Sequence, residues 1–413
     1  MSDTVTESAS LGDLPVLDLH DADFWQDFYP ALGEAREQSP VATDADGAFW
    51  ILRSREAEEV LKDPSYVVAD FMGALGLTEG PVWEWWQHLM VSKNPPEHTR
   101  IRRLVSRAFT PRAIDRLRPM VRATADGLLD VALDTPGLDV LGGPGLAHRL
   151  PSTVMGAMLG VPAADLDQFI DSTSDIGLAF GAATDPVVRD RVEAALAHLD
   201  EYVRDLIPRR RDESATPTDL LGQLLAVDEH GDRLSTDEVV WLVENLLFAG
   251  HDTTRGAIAA TLGLLAGHPD ELAELRADPG LVDNAVEEIL RFEPITFSTA
   301  RAASADVEVG GVGVEAGTTV LFCLPAISRD PRRYPDLDPE VFDVSRPNPQ
   351  PPTFGAGIHY CLGAALARVE LQETLRCVLE RTSGFELVEG RPTWVPFAYV
   401  RRYERLPVVF TAR

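Results

Sequence analysis

The chain has 413 residues, 45% of them hydrophobic, and carries a net charge of −29. That length can bury a large core, and no repeat or low-complexity linker divides it. The acidity excludes general nucleic-acid binding; three cysteines, at 323, 361 and 377, exclude a disulfide framework and fit a reducing compartment.

The first stretch, Met1 to Leu14, is polar and acidic, without the basic start and apolar run of a signal peptide. Nothing approaches the ~20 continuous apolar residues that span a bilayer. Residues 1–13 read as a disordered tail and 14–413 as one domain, expected to be a soluble, cytoplasmic monomer. Phe24 to Glu37 reads as a helix. Val41–Asp44 and Phe49–Leu52 flank Asp46-Gly47 and read as a hairpin. Arg55 to Lys62 is a short helix that stops before Asp63-Pro64.

Residues 66–93 lack clean periodicity but are rich in large apolar groups, among them Phe71, Trp83, Trp85 and Trp86. They suit either a core segment or a binding loop over an apolar pocket. His98 and Arg102 are four apart, hence on one helix face, where two donors can hold a carboxylate. Positions 100–122 then hold eight arginines against one acid, Asp115. A solvated helical face is the plain reading of such a run; a docking face for an acidic protein is the sharper one.

From Leu117 to about Val227 the pattern is mostly helical, punctuated by prolines. Leu166–Phe180 and Val187–Ile207 form a helical pair around residues 181–184. Ser235-Thr236-Asp237-Glu238 is a capping box for a helix from Thr236 to Ala266, ~46 Å long. Apolar residues surround its axis, which predicts burial through the middle of the molecule. Yet that middle holds Ala249-Gly250-His251-Asp252-Thr253-Thr254, and buried polar groups are costly unless used. A helix break at Gly250 with a new cap is the plain alternative.

Asp283 to Phe292 is another helix, with Glu288 and Arg291 three apart on one face. Val307–Val312, Thr318–Phe322, Phe385–Val388 and Leu406–Phe410 alternate enough to be strands. Cys323 and Cys377 read as small buried hydrophobes. Cys361 is different. It follows Phe354-Gly355-Ala356-Gly357-Ile358-His359-Tyr360 and stands at the mouth of an apolar helical pattern. Helix N-termini favour negative charge, which makes a thiolate available as a ligand. Two glycines let the backbone lie close to something flat and large. One thiolate with no second cysteine nearby argues against zinc and suits an iron whose equatorial ligands come from a porphyrin.

This decapeptide, through Gly363, resembles the haem-binding signature of the cytochrome P-450 family, F-G-x-G-x-H-x-C-x-G, at all six fixed positions. Residues 249–254 resemble its oxygen-binding segment, and Glu288-x-x-Arg291 with Arg346 its buried charge triad. The resemblance implies a mainly α fold with a small β region, triangular in outline, with a long central helix. It implies haem b with Cys361 as axial ligand; Phe354, Gly355, Gly363, Ala249 and Gly250 around the haem; and His98, Arg102, Arg301 and His359 on its propionates. It assigns Thr253 to hydrogen-bond dioxygen and Asp252 to proton delivery, and it makes Glu288, Arg291 and Arg346 a structural brace. It places Trp83, Trp86, Phe180, Leu246, Ile295, Thr296 and Phe397 around a hydrophobic substrate. The helical pair covers that pocket. The implied reaction is monooxygenation in secondary metabolism. Electrons from NAD(P)H come through a separate ferredoxin-type protein docking on Arg103, Arg107 and Arg112. A peroxide-driven enzyme and a haem-thiolate binding protein without turnover are the rival expectations.

Overall fold

The computed structural model describes residues 13–180, 185–213, 219–226, 232–396 and 399–413. Helices dominate, arranged around one that runs from Thr236 to Gly267. Its start is fixed as the sequence predicts: Ser235 Oγ accepts the Glu238 backbone N–H at 3.1 Å, and Glu238 Oε2 accepts the Ser235 N–H at 2.7 Å. His268 and Pro269 follow its end. Most of its residues are buried, so this helix is the axis of the main apolar core. Three glycines let neighbours approach it. A Cβ at Gly250 would touch Met155 at 3.4 Å, one at Gly256 would meet Ile295 at 2.9 Å, and one at Gly263 the Tyr403 hydroxyl at 2.8 Å.

The helical pair is present as Leu166–Gly177 and Pro186–Glu213, while residues 181–184 lie outside the described residues. The pattern read as one helix from Phe24 to Glu37 divides into a 3-10 turn, Phe24–Gln26, and a helix, Tyr29–Gln38. Residues 66–93 are more ordered than their periodicity suggests. They form a strand, Tyr66–Val68, and helices Phe71–Ala74 and Pro81–His88.

Among the described residues the β structure is three sheets. The largest has six strands in the order Val16–Leu17, Val41–Asp44, Phe49–Ile51, Thr319–Cys323, Ser298–Ala303, Tyr66–Val68. The expected hairpin supplies its second and third strands, with Ala42 opposite Trp50. Strand Ser298–Ala303 pairs antiparallel with both neighbours, setting Arg301 opposite Val320 and Val68. A three-stranded sheet joins Thr382–Leu387, Pro407–Ala412 and Leu138–Asp139, and Val307–Val309 pairs with Val312–Val314.

Beneath the central helix lies the helix Ala364–Arg381, whose N-cap is Gly363. Glu288, Arg291 and Arg346 stand together at its flank, almost wholly buried. Arg291 donates to both Glu288 oxygens, at 2.6 and 2.7 Å, and Arg346 Nε to Oε1 at 3.0 Å. The guanidiniums also hold backbone carbonyls: Arg291 those of Ser328, Pro339 and Val341, Arg346 those of Asp338 and Val341. This ties down the segment that leads into the cysteine loop. No helix among the described residues is long and apolar enough to cross a membrane.

Candidate active site

The cysteine loop is shaped by its glycines. Gly355 and Gly357 both have left-handed backbones, φ +69° and +70°, and a Cβ at Gly357 would strike the carbonyl of Leu61. The loop closes on itself, with the Cys361 N–H donating to the Phe354 carbonyl at 2.9 Å. Cys361 stands two residues before the helix N-cap. The Gly363 and Ala364 N–H groups and the guanidiniums of Arg102 and Arg368 draw its thiol towards the thiolate, while burial pushes it the other way and dominates. Yet Cys361 has exposed surface. A sulfur crowded by protein but open on one side shows both properties, and the exposed area is the direct measure of access. Among the described residues no three His, Cys, Asp or Glu side chains form a metal-binding group.

Beside the loop four basic side chains converge. His98 and His359 rings lie 4.0 Å apart, and Arg102 donates to the Tyr360 carbonyl at 2.7 Å. His98 sits on the helix Glu97–Val105, one turn from Arg102; Arg301 comes from the largest sheet. Burial holds His359 down to about 3, helped by Arg301, His98 and Arg102; His98 is lowered by burial, Arg102 and Arg301. Burial alone lowers Arg301, to about 10. No carboxylate is among the groups that shift either imidazole. His98 Nδ1 is buried without a hydrogen-bond partner. Two guanidiniums and two imidazoles gathered without an acid, and an orphaned ring nitrogen, call for an anion from outside the chain. A planar macrocycle with two carboxylates and a metal open to one thiolate fits these residues.

The central helix faces this region with an interruption in its burial. Ala249 is exposed although buried residues surround it in sequence, and Thr253, one turn on, is half-buried. Thr253 Oγ1 donates back to the Ala249 carbonyl at 2.7 Å, the local bond a threonine makes inside a helix. The helix continues through Gly250, so the alternative of a break and a new cap there is not what forms. Thr254, on another face, bonds the buried carboxyl of Glu370 on the cysteine helix, and burial raises Glu370 to about 8.

Asp252 is buried, and burial raises its carboxyl; Arg255 and Arg402 oppose this. Arg255 Nη1 lies 3.6 Å from Oδ1. The other oxygen rests on Gly177 of the covering helix, where a Cβ would overlap it. His251 points away from the opening, held by Ser152 Oγ at 2.7 Å and Ser174 Oγ at 3.0 Å, with Nε2 3.8 Å from Asp252. Burial keeps this imidazole neutral. None of His251, Ser152, Ser174 or Gly177 stands out in the sequence as belonging to Asp252, because three helices supply them.

Of the pocket candidates, Ile295 packs on Gly256, Thr296 bridges to Val400, and Leu246 and Trp86 are buried. Trp83 is half-buried against the main core, its indole donating to Asp70 at 3.3 Å, and the neighbouring Trp85 meets Phe248 of the central helix, ring centroids 5.8 Å apart. In a short helix, positions 83 and 85 face opposite ways. Phe397 lies outside the described residues, and the description of Phe180 stops at its backbone. A cleft of about 1100 Å³ lined by Tyr29, Phe292, Arg329, Trp394 and Tyr403 lies elsewhere and contains none of the residues above.

The arginine run is partly spent inside the fold. Arg100 pairs with Asp232 and Glu238, Arg103 with Asp232, Arg118 with Asp115 and Glu373, and Arg122 with Asp126 and Glu380. Arg112 is exposed on the short helix Pro111–Asp115, which packs against the cysteine helix.

Comparison with known proteins agrees with this arrangement. The Cytochrome P450 family profile matches residues 185–392. The chain is similar to the cytochrome P450 monooxygenase PikC of Streptomyces venezuelae, 37% identical, over 98% of this chain and 96% of that protein. It is 38% identical to a vitamin D(3) 25-hydroxylase of Pseudonocardia autotrophica, over 96% and 97%. Among solved structures, cytochrome P450 CYP109Q5 from Chondromyces apiculatus superposes with a TM-score of 0.86 at 30% identity, covering 96% of this chain and 99% of that one.

Proposed function

This chain belongs to the cytochrome P450 family, and from that premise we propose that it hydroxylates or epoxidises a large apolar molecule with electrons from a separate ferredoxin-type protein. As a family member it is a haem-dependent monooxygenase that uses O2. The observation that carries the site assignment is the convergence of His98, Arg102, Arg301 and His359, with no acid to answer them, on the loop that bears a lone thiol.

When bound, the haem supplies oxygen activation and redox chemistry, and the protein supplies position and protons. Cys361 would supply its thiolate to the haem iron. The four basic groups would hold the propionates, and Phe354, Gly355 and Gly363 would border the ring. Ala249 and the backbone of Gly250 would border it too, with Met155 already packed where a Cβ of Gly250 would stand. Thr253 offers a hydroxyl at the opening, and its hydrogen can leave the Ala249 carbonyl to reach a ligand there. Asp252, raised by burial, can hold a proton behind Thr253 and pass it forward. The brace of Glu288, Arg291 and Arg346 fixes the loop and takes no part in the chemistry.

A substrate of steroid, terpenoid or polyketide size is supported by the buried aromatic cluster of Trp85, Trp86 and Phe248 and by the relative named for vitamin D(3). The electron donor would dock on the arginine run at Arg103, Arg107 and Arg112, of which Arg103 is already paired with Asp232 and Arg112 is exposed. An acidic donor is steered there by local charge despite the net charge of −29. NAD(P)H enters only through that donor's reductase.

The test is turnover of a spectrally selected substrate with NADPH, a surrogate ferredoxin and its reductase, against peroxide alone. Thr253→Ala should lower product formed per NADPH several-fold with substrate binding unchanged. Full turnover on peroxide alone with Thr253→Ala fully coupled would replace this reading with the peroxide-driven one.

A further inference from the structure

We infer that Gly177, on the helix that covers the pocket, is a positioning residue for Asp252: the missing side chain there is what seats the carboxyl behind Thr253. This rests on the monooxygenase reading and adds a residue to its proton-handling step.

Gly177 is buried at the end of the helix Leu166–Gly177. Nothing in its backbone asks for glycine. Its φ is not left-handed, and the chain runs on through Leu178 in helical geometry into the 3-10 turn Leu178–Phe180. At such a position a helix ordinarily prefers alanine. What excludes alanine is a neighbour. The three heavy atoms nearest to a Cβ on Gly177 all belong to the Asp252 carboxyl: Oδ2, which it would overlap, Cγ at 2.6 Å and Oδ1 at 3.2 Å. No other atom of the central helix comes closer than 3.2 Å. The carboxyl therefore occupies the room that a side chain would take.

The other side of the carboxyl is fixed. Oδ1 faces Arg255 Nη1 at 3.6 Å and His251 Nε2 at 3.8 Å. Arg255 is anchored by donating to the Leu141 carbonyl at 2.6 Å, and His251 by Ser152 and Ser174. Ser174 stands three residues before Gly177, so one face of the covering helix both holds the imidazole and seats the acid. A carboxyl pushed off Gly177 cannot retreat towards Arg255 and His251 without displacing them from a packed interior. The end of a side chain moves more cheaply than two packed helices, so the carboxyl swings out of its seat. The proton held behind Thr253 loses its place, while the cysteine loop and its four basic groups, carried on other elements, are untouched.

The test is a double-mutant cycle of Gly177→Ala and Asp252→Ala on the holoenzyme. Gly177→Ala should lower the melting temperature of the wild type by ~2 °C or more. In the Asp252→Ala background the same change should cost nothing or add up to ~1 °C, the helix preference of alanine over glycine. Function is read as product per NADPH, using the compound with the largest spectral shift from a panel of steroids, terpenoids and polyketides. Gly177→Ala should form several-fold less product per NADPH with the dissociation constant of that compound unchanged, and should add no loss to Asp252→Ala. Where Gly177→Ala does not fold, a folded double variant supports the inference and an unfolded one overturns it. Equal melting losses in both backgrounds, wild-type coupling in Gly177→Ala, or losses of coupling that add to those of Asp252→Ala also overturn it, because glycine would then serve helix packing alone. The reduced carbonyl adduct separates the two levels. A normal thiolate-type Soret band with any of those results sinks this inference alone, and a missing band in the wild type sinks the haem assignment beneath it.

Discussion

Replacing Glu288 by alanine is the sharpest test of how the cysteine loop is held. Glu288 is wholly buried and is the only acid that Arg291 and Arg346 are bonded to among the described residues. It accepts four hydrogen bonds: two from Arg291, one from Arg346 and one from the Asp343 backbone at 3.2 Å. Alanine leaves two guanidiniums in the core, partly satisfied by carbonyls but without a counter-charge. Breaking a buried pair in this way costs ~3–5 kcal/mol. The unfolding entropy scales with length, so in a chain of this size that loss lowers the melting temperature by about 4–6 °C. Glu288→Gln keeps the shape and one acceptor oxygen and should fall less. The assay is thermal unfolding followed by far-UV circular dichroism, with haem content from the Soret absorbance. Haem occupancy should drop along with stability, because the carbonyls held by both arginines belong to the segment entering the loop. A melting temperature within about 1 °C of wild type would refute the reasoning, since no solvent reaches these charges to replace Glu288.

Arg301→Ala should speed haem transfer to a scavenger globin by about tenfold or more, the loss of one charge-assisted bond. The apoprotein should melt no lower, because Arg301 is a desolvated cation bonded, among the described residues, only to the Ala300 carbonyl; equal losses in both forms would contradict an anion-binding role. Glu370→Gln should show the sign of a carboxyl raised by burial. The wild type must keep a proton that the unfolded chain releases above 4.5, so its stability relative to the glutamine variant declines as pH rises from there and levels off above about 8. Melting curves of the two proteins should converge at low pH and diverge towards pH 8; a constant gap would show that Glu370 is ionised in the fold. Arg112→Glu should slow reduction by an acidic ferredoxin in stopped flow, most strongly at low salt, with substrate affinity unchanged; identical rates at every salt would move the docking face elsewhere.

What was legible in the sequence was what is local along it. The capping box at Ser235, the glycines around Cys361, and the His98–Arg102 and Glu288–Arg291 spacings are each set within a few residues, and each forms as its spacing predicts. The six-stranded sheet was not legible as a sheet, because its order joins residues 16, 41, 49, 319, 298 and 66, and register between such distant strands is decided by packing. Ser298–Ala303 has an ordinary composition and becomes a strand only because Thr319–Cys323 and Tyr66–Val68 lie on either side. The same holds around Asp252. Its motif announces a proton-handling carboxyl, yet the helices carrying Gly177, Ser174 and Ser152 decide how it is enclosed. Charge is the clearest case. A count of arginines between 100 and 122 suggests a bare basic face, but among the described residues at least four of the eight are matched by acids brought from elsewhere in the chain or from the next turn of their own helix. Composition fixes how many charges a segment carries, and folding fixes how many remain for a partner, so a docking surface can be argued only after the internal pairs are subtracted.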